Sequence, residues 1–511
     1  MDERERGLLF LGTVLFIPLF VWFVVANAYY GIDKDNVNYL LIYLVKNTFS
    51  LWPLWSSLIF GFILGIAIFA GVLIFDNSRV YRGQRFVRFL RGTKLVRASQ
   101  LKEKTFKRGE QQLTIASIPI PIELEPLHFS IGGATGTGKS TIFNELLFGM
   151  IKRGDKRVIL DPNGSYLKNF YLPGDKILNS YDARTEGWSF FNEIRNDYDY
   201  ERYVKSIVQE SPDQAAEEWY GYGRLIFSEV SRKLHSLKYR VAMKEVMHYC
   251  CIVEQEDLRK FLKGTAAEAI FTGSNERAVG SARFTLSKKL TPHLRMPDGD
   301  FSIREWLEDD TPGTLFITWQ EEMRDTLNPL ISCWLDSIFS IVLGMGENPE
   351  GKIKVMLDEL ESLAYLPNLN DALTKGRKSG LSVFAGYQTY SQLVKVYGRE
   401  MASTLLSNMR NVVIHAGGRL GDDTLEQMSK SLGEIEGEVL VPNEDSGKPG
   451  WGTRKQRQTK TARAVTTTEI AQLKNLHGYL ALAGDYPVAK FKNKHMRYER
   501  KSPVEGIVLR N

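Results

Sequence analysis

An α/β nucleotide-binding domain, interrupted by an all-α insert and preceded by two transmembrane helices, is the fold class this sequence predicts. Three observations carry it: a phosphate-binding loop between an apolar strand and a helix, a later apolar strand closing on Asp-Glu, and two long uncharged runs near the start. The loop is Gly133-Ala134-Thr135-Gly136-Thr137-Gly138-Lys139-Ser140, followed by Thr141, and it fits G-x-x-x-x-G-K-[ST] without mismatch. Leu127 to Ile131 is the strand that feeds it, and Ile142 to Phe148 opens the helix that leaves it. Glycines let backbone N–H groups wrap a polyphosphate, and the helix N-terminus adds a favourable dipole. Lys139 is placed to reach the β- and γ-phosphates, and the Ser140 hydroxyl to hold Mg²⁺.

At 511 residues the chain is too long for one core, and 43% hydrophobic with 25% charged residues is ordinary globular composition. Its three cysteines, Cys250, Cys251 and Cys333, sit at no metal-ligand spacing, so neither a disulfide framework nor a zinc site is predicted. Most of the chain is therefore read as facing a reducing compartment.

Leu8 to Ala26 and Leu51 to Phe75 are long enough to cross a hydrocarbon layer of about 30 Å at about 1.5 Å per helical residue. The acidic and basic flank Asp2-Glu3-Arg4-Glu5-Arg6 argues against a signal peptide. Orientation follows from basic residues. The loop Asn27 to Ser50 holds only Lys34 and Lys46, whereas the second span is followed by a run from Arg79 to Arg108 rich in Arg and Lys. That asymmetry puts both termini and the C-terminal mass in the cytoplasm of a multi-pass protein. Arg79, Arg82, Arg85, Arg88, Arg91, Lys94 and Arg97 recur every third position, which winds round a helix and holds no single face. They are read as a solvated neck near anionic headgroups.

Leu113 to Ile122, with two prolines, reads as an edge strand, and Arg157 to Asp161 as the next parallel strand, with Asp161 capping the turn Pro162-Asn163-Gly164. Helical periodicity then takes over in Glu217 to Leu237, Asp257 to Lys263 and Arg277 to Leu294. The basic residues on these helices (Arg224, Arg232, Lys233, Lys238, Arg277, Arg283, Lys288, Lys289) have the look of solvated faces as much as of phosphate contacts. Strand character returns at Thr314 to Trp319, and Asn328 to Leu343 reads as a buried helix.

The run Ile353 to Leu357 ends in Asp358-Glu359, the form of the acidic strand of ATPases. Asp358 is assigned to Mg²⁺ and Glu359 to orienting the attacking water, while Glu361 is read as a surface carboxylate. Leu381 to Gly386 is a strand ending near Gln388, a candidate γ-phosphate sensor that alone would equally be a polar strand end. Arg377 precedes it, placed to face a neighbouring subunit. Arg410 to Ala416 and a helix near Asp422 to Leu432 follow. Asn443 to Thr468 reads as a mobile loop or an extended hairpin, and Leu476 to Phe491 as a closing hairpin. The boundaries are a transmembrane domain at 1–76 with spans at about 8–26 and 51–75, a basic juxtamembrane linker at 77–112, the nucleotide-binding domain at 113–183 and 311–511, and the all-α domain at 184–310.

Together these pieces resemble the type IV secretion coupling proteins, the TraD-like ATPases of conjugative DNA transfer. The resemblance covers nearly the whole chain. It runs through the two spans, the P-loop, Leu160 to Gly164, Gly187-Trp188-Ser189-Phe190-Phe191-Asn192, Leu357-Asp358-Glu359-Leu360, Ala372 to Lys378 and Gly386-Tyr387-Gln388. It implies a RecA-like domain with an inserted all-α domain, assembled as a homo-hexamer under the bacterial inner membrane. It also implies ATP- and Mg²⁺-dependent delivery of single-stranded DNA with its relaxase to the secretion channel, double-stranded DNA being the alternative substrate. Lys139, Ser140, Asp358 and Glu359 fall on matching positions, with Arg377 as a trans-acting arginine and Gln388 as the sensor. A chromosome-partitioning DNA translocase and a non-catalytic ATP-binding scaffold are the competing readings. The first is expected to carry more spans and a DNA-orienting module, and the second has no need of an intact Lys139 and Glu359.

Overall fold

The computed structural model describes residues 9–31, 37–78, 80–81, 84–210, 214–237, 241–271, 276–348, 352–418, 422–442, 455–495, 498 and 504–510. The chain forms two compact units, Met1–Gly92 with Ile435–Ala462, and Thr93–Glu434 with Arg463–Asn511.

The second unit is built on a ten-stranded sheet: β1 (Leu95–Arg97), β2 (Phe129–Gly132), β3 (Lys156–Pro162), β4 (Lys176–Leu178), β5 (Gly313–Trp319), β6 (Ile353–Leu357), β7 (Leu381–Tyr387), β8 (Asn411–His415), β9 (His477–Ala481) and β10 (Val488–Lys492). Their spatial order is β1-β10-β9-β8-β2-β7-β6-β3-β5-β4. From β8 to β4 every neighbouring pair is parallel, and the closing hairpin β9–β10 adds antiparallel strands beyond β8. A parallel sheet is covered on both faces, which is why Val158, Ile159 and Leu160 are consecutive apolar residues and all fully buried. Alternate residues feed two cores. Ile131, Ile159, Met356 and Phe384 meet Phe143, Leu146 and Leu147 of the helix Lys139–Arg153. On the other face, Leu160, Val355 and Val383 join the helix Arg324–Gly344.

The insert lies between β4 and β5 and holds helices and no strand among its described residues, with Asp197–Ile207, Gln214–Leu237, Met243–Met247, Gln255–Phe261, Glu276–Leu294 and Ile303–Glu308 as its α-helices. Its apolar faces do not close on themselves. Trp188 packs edge-on to Trp334 at 5.9 Å, and Phe190 and Phe227 share one continuous core with the sheet. Several of its basic residues are occupied within the chain: Arg224 pairs with Glu217, Arg232 with Asp197, and Arg283 donates to the carbonyl oxygens of Cys250 and Val253. Lys238 lies outside the described residues.

The segment expected as an edge strand forms a separate two-stranded ribbon, Thr114–Ile115 with Ile118–Pro119. Ala116 and Ser117 turn at φ 51° and 63°, and Glu145 accepts both of their N–H groups at 2.9 Å. Under the sheet, Glu125 pairs with Arg153 at 2.7 Å and Lys354 at 3.0 Å, all three nearly excluded from solvent.

In the first unit, Leu11–Tyr30 and Trp52–Val72 are long and apolar enough to cross a membrane. A third such helix, Glu321–Gly344, is 72% buried and is the core helix expected near Asn328. Pro18 supplies no N–H to the helical ladder, and the preceding Leu11–Phe16 winds as a π-turn. Val37–Lys46, expected as loop, is a further helix. The basic juxtamembrane stretch is not a linker. Gln84–Gly92 is a strand paired antiparallel with Glu434–Pro442, which continues to Lys455–Arg463. A period of three would alternate faces on a regular strand, but register shifts set Arg91 opposite Glu436 and Arg88 opposite Glu438, two residues apart and so on one face, and Arg91 pairs with Glu436. Of the alternatives for Asn443 to Thr468, the arm Lys455–Arg463 is a strand. Arg79, Arg82, Arg419 and 443–454 lie outside the described residues.

The two apolar helices meet through glycine. A Cβ on Gly61 would lie 2.6 Å from Pro18 Cα, and one on Gly65 would strike the Thr13 carbonyl oxygen. Gly65→Leu is therefore expected to splay the pair. Cysteines introduced at Phe10 and Phe69, whose rings meet at 5.4 Å, should cross-link in the parent and lose most of that cross-linking in the variant.

Candidate nucleotide site

Parallel strands deliver their C-terminal ends to one rim, and the loops leaving β2, β6 and β7 meet there. The P-loop joins β2 to the helix Lys139–Arg153. Gly136 at φ 76° and Gly138 at φ 121° occupy backbone that side chains resist. Gly133 is required by space, since a Cβ there would lie 2.7 Å from His415 Cβ. The loop is tied from behind, with Ala134 N–H donating to Ala416 O and Leu476 N–H to Thr137 O, each at 2.8 Å.

Lys139 is only 7% exposed and curls back to donate to the carbonyl oxygens of Gly133 and Ala134. Burial holds its pKa below that of an ordinary lysine, against the pull of Asp358, Glu361 and Glu359. Asp358 leaves β6 beside it. Burial pushes its carboxyl above the usual range, opposed by a 2.6 Å hydrogen bond from the Tyr166 hydroxyl and by Lys139.

β7 runs between β2 and β6, so Gln388 emerges between the P-loop and the acidic pair. Thr135 Oγ1 donates to Gln388 Oε1 at 2.8 Å, and Gln388 Nε2 donates to Glu359 Oε1 at 3.1 Å. Gly386 permits this crossing, because a side chain there would strike the Asp358 carbonyl oxygen. Glu361, expected at the surface, is instead folded under β7 by the turn Leu360–Ser362. Its Oε1 accepts the Gln388 N–H at 2.7 Å, and burial pushes its pKa up to about 7.

Asp161 does cap its turn. It is fully buried and accepts from Tyr166 N–H at 3.0 Å and Leu167 N–H at 2.7 Å. Arg377 is exposed in the turn Gly376–Ser379 before β7, at the opposite rim of the sheet from Gln388. β7 spans seven residues, so the two rims are about 23 Å apart at about 3.3 Å per residue. The structure thus gathers Gly133 to Thr141, Asp358, Glu359 and Gln388 and leaves Arg377 outside.

These groups line a cleft of about 330 Å³, together with Asn475, Leu476 and His495 from segments flanking the closing hairpin. Those three carry no sequence signal of such a role. Nor did His415, whose Nδ1 meets His477 O at 3.2 Å and whose pKa burial pushes down to about 4, leaving it neutral beneath the loop. Tyr166 could have been suspected from the Asp161 cap two residues past the turn. Among the described residues no group of three or more His, Cys, Asp or Glu could hold an ion by itself. One hydroxyl, Ser140, and one carboxylate, Asp358, make an incomplete oxygen set, which fits Mg²⁺ completing its shell with water and phosphate oxygens.

Residues 112–494 match the model of the type IV secretion-system coupling protein DNA-binding domain. Coupling protein TraD of Escherichia coli (strain K12) is 28% identical over 416 residues, covering 77% of this chain and 56% of its own length. The chain thus spans little more than half of that curated relative. Plasmid coupling protein TrwB has been solved with the ATP analogue ADPNP (45% identity, TM-score 0.77, 84% of this chain and 100% of that one). It has also been solved with ADP and Mg²⁺ (46% identity, TM-score 0.76, 84% and 98%). The P-loop, the acidic pair and Gln388 all fall within the matched residues, and this chain belongs to the type IV secretion-system coupling protein family.

Proposed function

We propose that this chain is a membrane-anchored, Mg²⁺-dependent ATPase that works as a homo-hexamer at the bacterial inner membrane. It delivers single-stranded DNA, with its relaxase, to a type IV secretion channel during conjugation. The observation that carries the enzymatic part is the bridge Thr135–Gln388–Glu359, which ties the tip of the phosphate loop to the carboxylate that faces it. A scaffold that merely held ATP has no use for that link. The TrwB structures with ADP and Mg²⁺ and with ADPNP support the choice of nucleotide and ion.

In this reading the N–H groups from Gly133 to Thr141 wrap the phosphates, and Lys139 turns from the loop carbonyls to the β- and γ-phosphate oxygens. Ser140 and Asp358 would hold Mg²⁺, whose charge offsets that on the transferring phosphoryl group. Glu359 orients and polarises the attacking water, and Gln388 reports whether the γ-phosphate is in place. Arg377 lies too far from its own cleft to serve it and acts on a neighbour's nucleotide in the ring. The family's DNA-binding domain supports a DNA partner. The apolar helices Leu11–Tyr30 and Trp52–Val72 support a multi-pass anchor, with both termini and the ATPase domain cytoplasmic.

Lys139→Ala should abolish ATP hydrolysis and leave membrane insertion intact, because the ammonium that compensates the phosphates is gone. A deletion strain complemented with it should transfer no DNA in a mating assay, and normal transfer frequency would sink the reading. Glu359→Gln should bind ATP with near-parent affinity and turn it over at least about a hundredfold more slowly. Failure of that variant to bind ATP would count against the assignment.

For Arg377 the check is mixing. An arginine finger contributes about 10³ to 10⁵ in rate. Arg377→Ala and Lys139→Ala subunits are each inactive alone, and verified mixed hexamers should regain part of the activity. Mixed rings that stay silent would end the trans assignment.

A further inference from the structure

One of the two side chains assigned to the metal has a buried neighbour. The Tyr166 hydroxyl donates to Asp358 Oδ2 at 2.6 Å. Its ring is 2% exposed and stands edge-on to Phe143, on the turn after Ser140, with centroids 6.5 Å apart. A buried phenol must find a hydrogen-bond partner somewhere. Here that partner is a metal-ligand candidate, Asp358.

The anchoring behind the ring is equally specific. Asp161, at the end of β3, accepts from the backbone N–H of Tyr166 and Leu167 and from the Ser165 hydroxyl at 3.2 Å, closing the first turn of Ser165–Phe170. Asn163 and Gly164 enter that turn at φ 60° and 67°. Gly164 also lies against Gly506, where any Cβ would strike the backbone. The backbone that carries the ring is therefore fixed, and burial confines the ring itself.

The phenol's single proton goes to one carboxylate oxygen. That direction matters. It leaves the second oxygen of Asp358 uncommitted to Tyr166, the arrangement a hard cation with bound water needs.

We propose that Tyr166 is a positioning residue that presets Asp358 for the Mg²⁺ arriving with the nucleotide; this rests on the reading of the cleft as a Mg²⁺–nucleotide site. Tyr166 acts through Asp358, as groups behind metal ligands commonly do, with losses of about 10- to 100-fold in metal affinity when they are removed.

The test uses the full-length protein in detergent. Tyr166→Phe keeps the ring and its contact with Phe143 and removes only the hydroxyl. Mn²⁺ binding is followed by electron paramagnetic resonance at saturating ADP, and ADP binding separately in EDTA. The expected result is Mn²⁺ affinity weakened about 10- to 100-fold with metal-free ADP affinity unchanged. The Mg²⁺ concentration for half-maximal ATPase should rise in parallel. Asp358→Asn and the double variant complete a cycle, in which Tyr166→Phe should add little once Asp358 is gone. Mn²⁺ affinity within about twofold of the parent would overturn the proposal, as would losses that simply add in the double variant. Parent protein that takes up no Mn²⁺ with ADP would instead overturn the Mg²⁺–nucleotide reading itself.

Discussion

Placing β7 between the P-loop strand β2 and the acidic strand β6 is the constraint on which the rest of the site depends. Neighbouring strands are about 4.8 Å apart, so one intervening strand holds the phosphate loop and Asp358-Glu359 roughly 10 Å from each other. That gap has room for a terminal phosphate and a water, and Gln388 leaves β7 directly into it. A strand in that position must slip past the turn of β6 at close quarters. Gly386 permits the passage, and Glu361, folded beneath, takes the N–H of Gln388 that the crossing would otherwise leave buried.

The same geometry sets the electrostatics. Lys139 and Asp358 are both largely withdrawn from water, and burial disfavours the charged form of each. They partly offset one another, and Lys139 spends its donors on loop carbonyls. His415 beneath the loop stays neutral and adds no competing charge. Such a site favours a ligand carrying both signs, phosphate oxygens for the ammonium and a divalent cation for the carboxylate. A lone anion or a lone cation satisfies only half of it.

What the sequence made legible was whatever chemistry writes into consecutive residues. The phosphate loop, the Asp-Glu strand end, the long apolar runs and the helical insert each have a fixed period or spacing, and each lies where it was expected. Glu361 was misjudged because nothing in Asp358-Glu359-Leu360-Glu361 tells that a tight turn carries the last carboxylate back under the sheet. Tyr166, His415 and Leu476 reach the site across long sequence separations, a relation that strand order creates and linear spacing does not encode. The basic stretch failed for a different reason. A period of three suits neither a regular helix face nor a regular strand face, and only the register shifts of Gln84–Gly92 against the strand that begins at Glu434 bring Arg88 and Arg91 to one face.

The position of the insert follows from how the sheet divides its two faces. Odd and even residues of the same strands feed different cores, one closed by the helix that leaves the P-loop and the other by Arg324–Gly344 and the helical insert. The insert enters after β4 and returns at β5, on the margin farthest from the closing hairpin. The strand β3 meets both sides. Its residues Val158 and Leu160 face the insert's core while Ile159 faces the P-loop helix, and its end carries Asp161, which holds the turn bearing Tyr166. Tyr166 and Asp161 thus join Asp358 to the end of β3 by an unbroken run of hydrogen bonds and one turn of backbone, so the carboxylate assigned to the metal is held by the same strand that supports the insert.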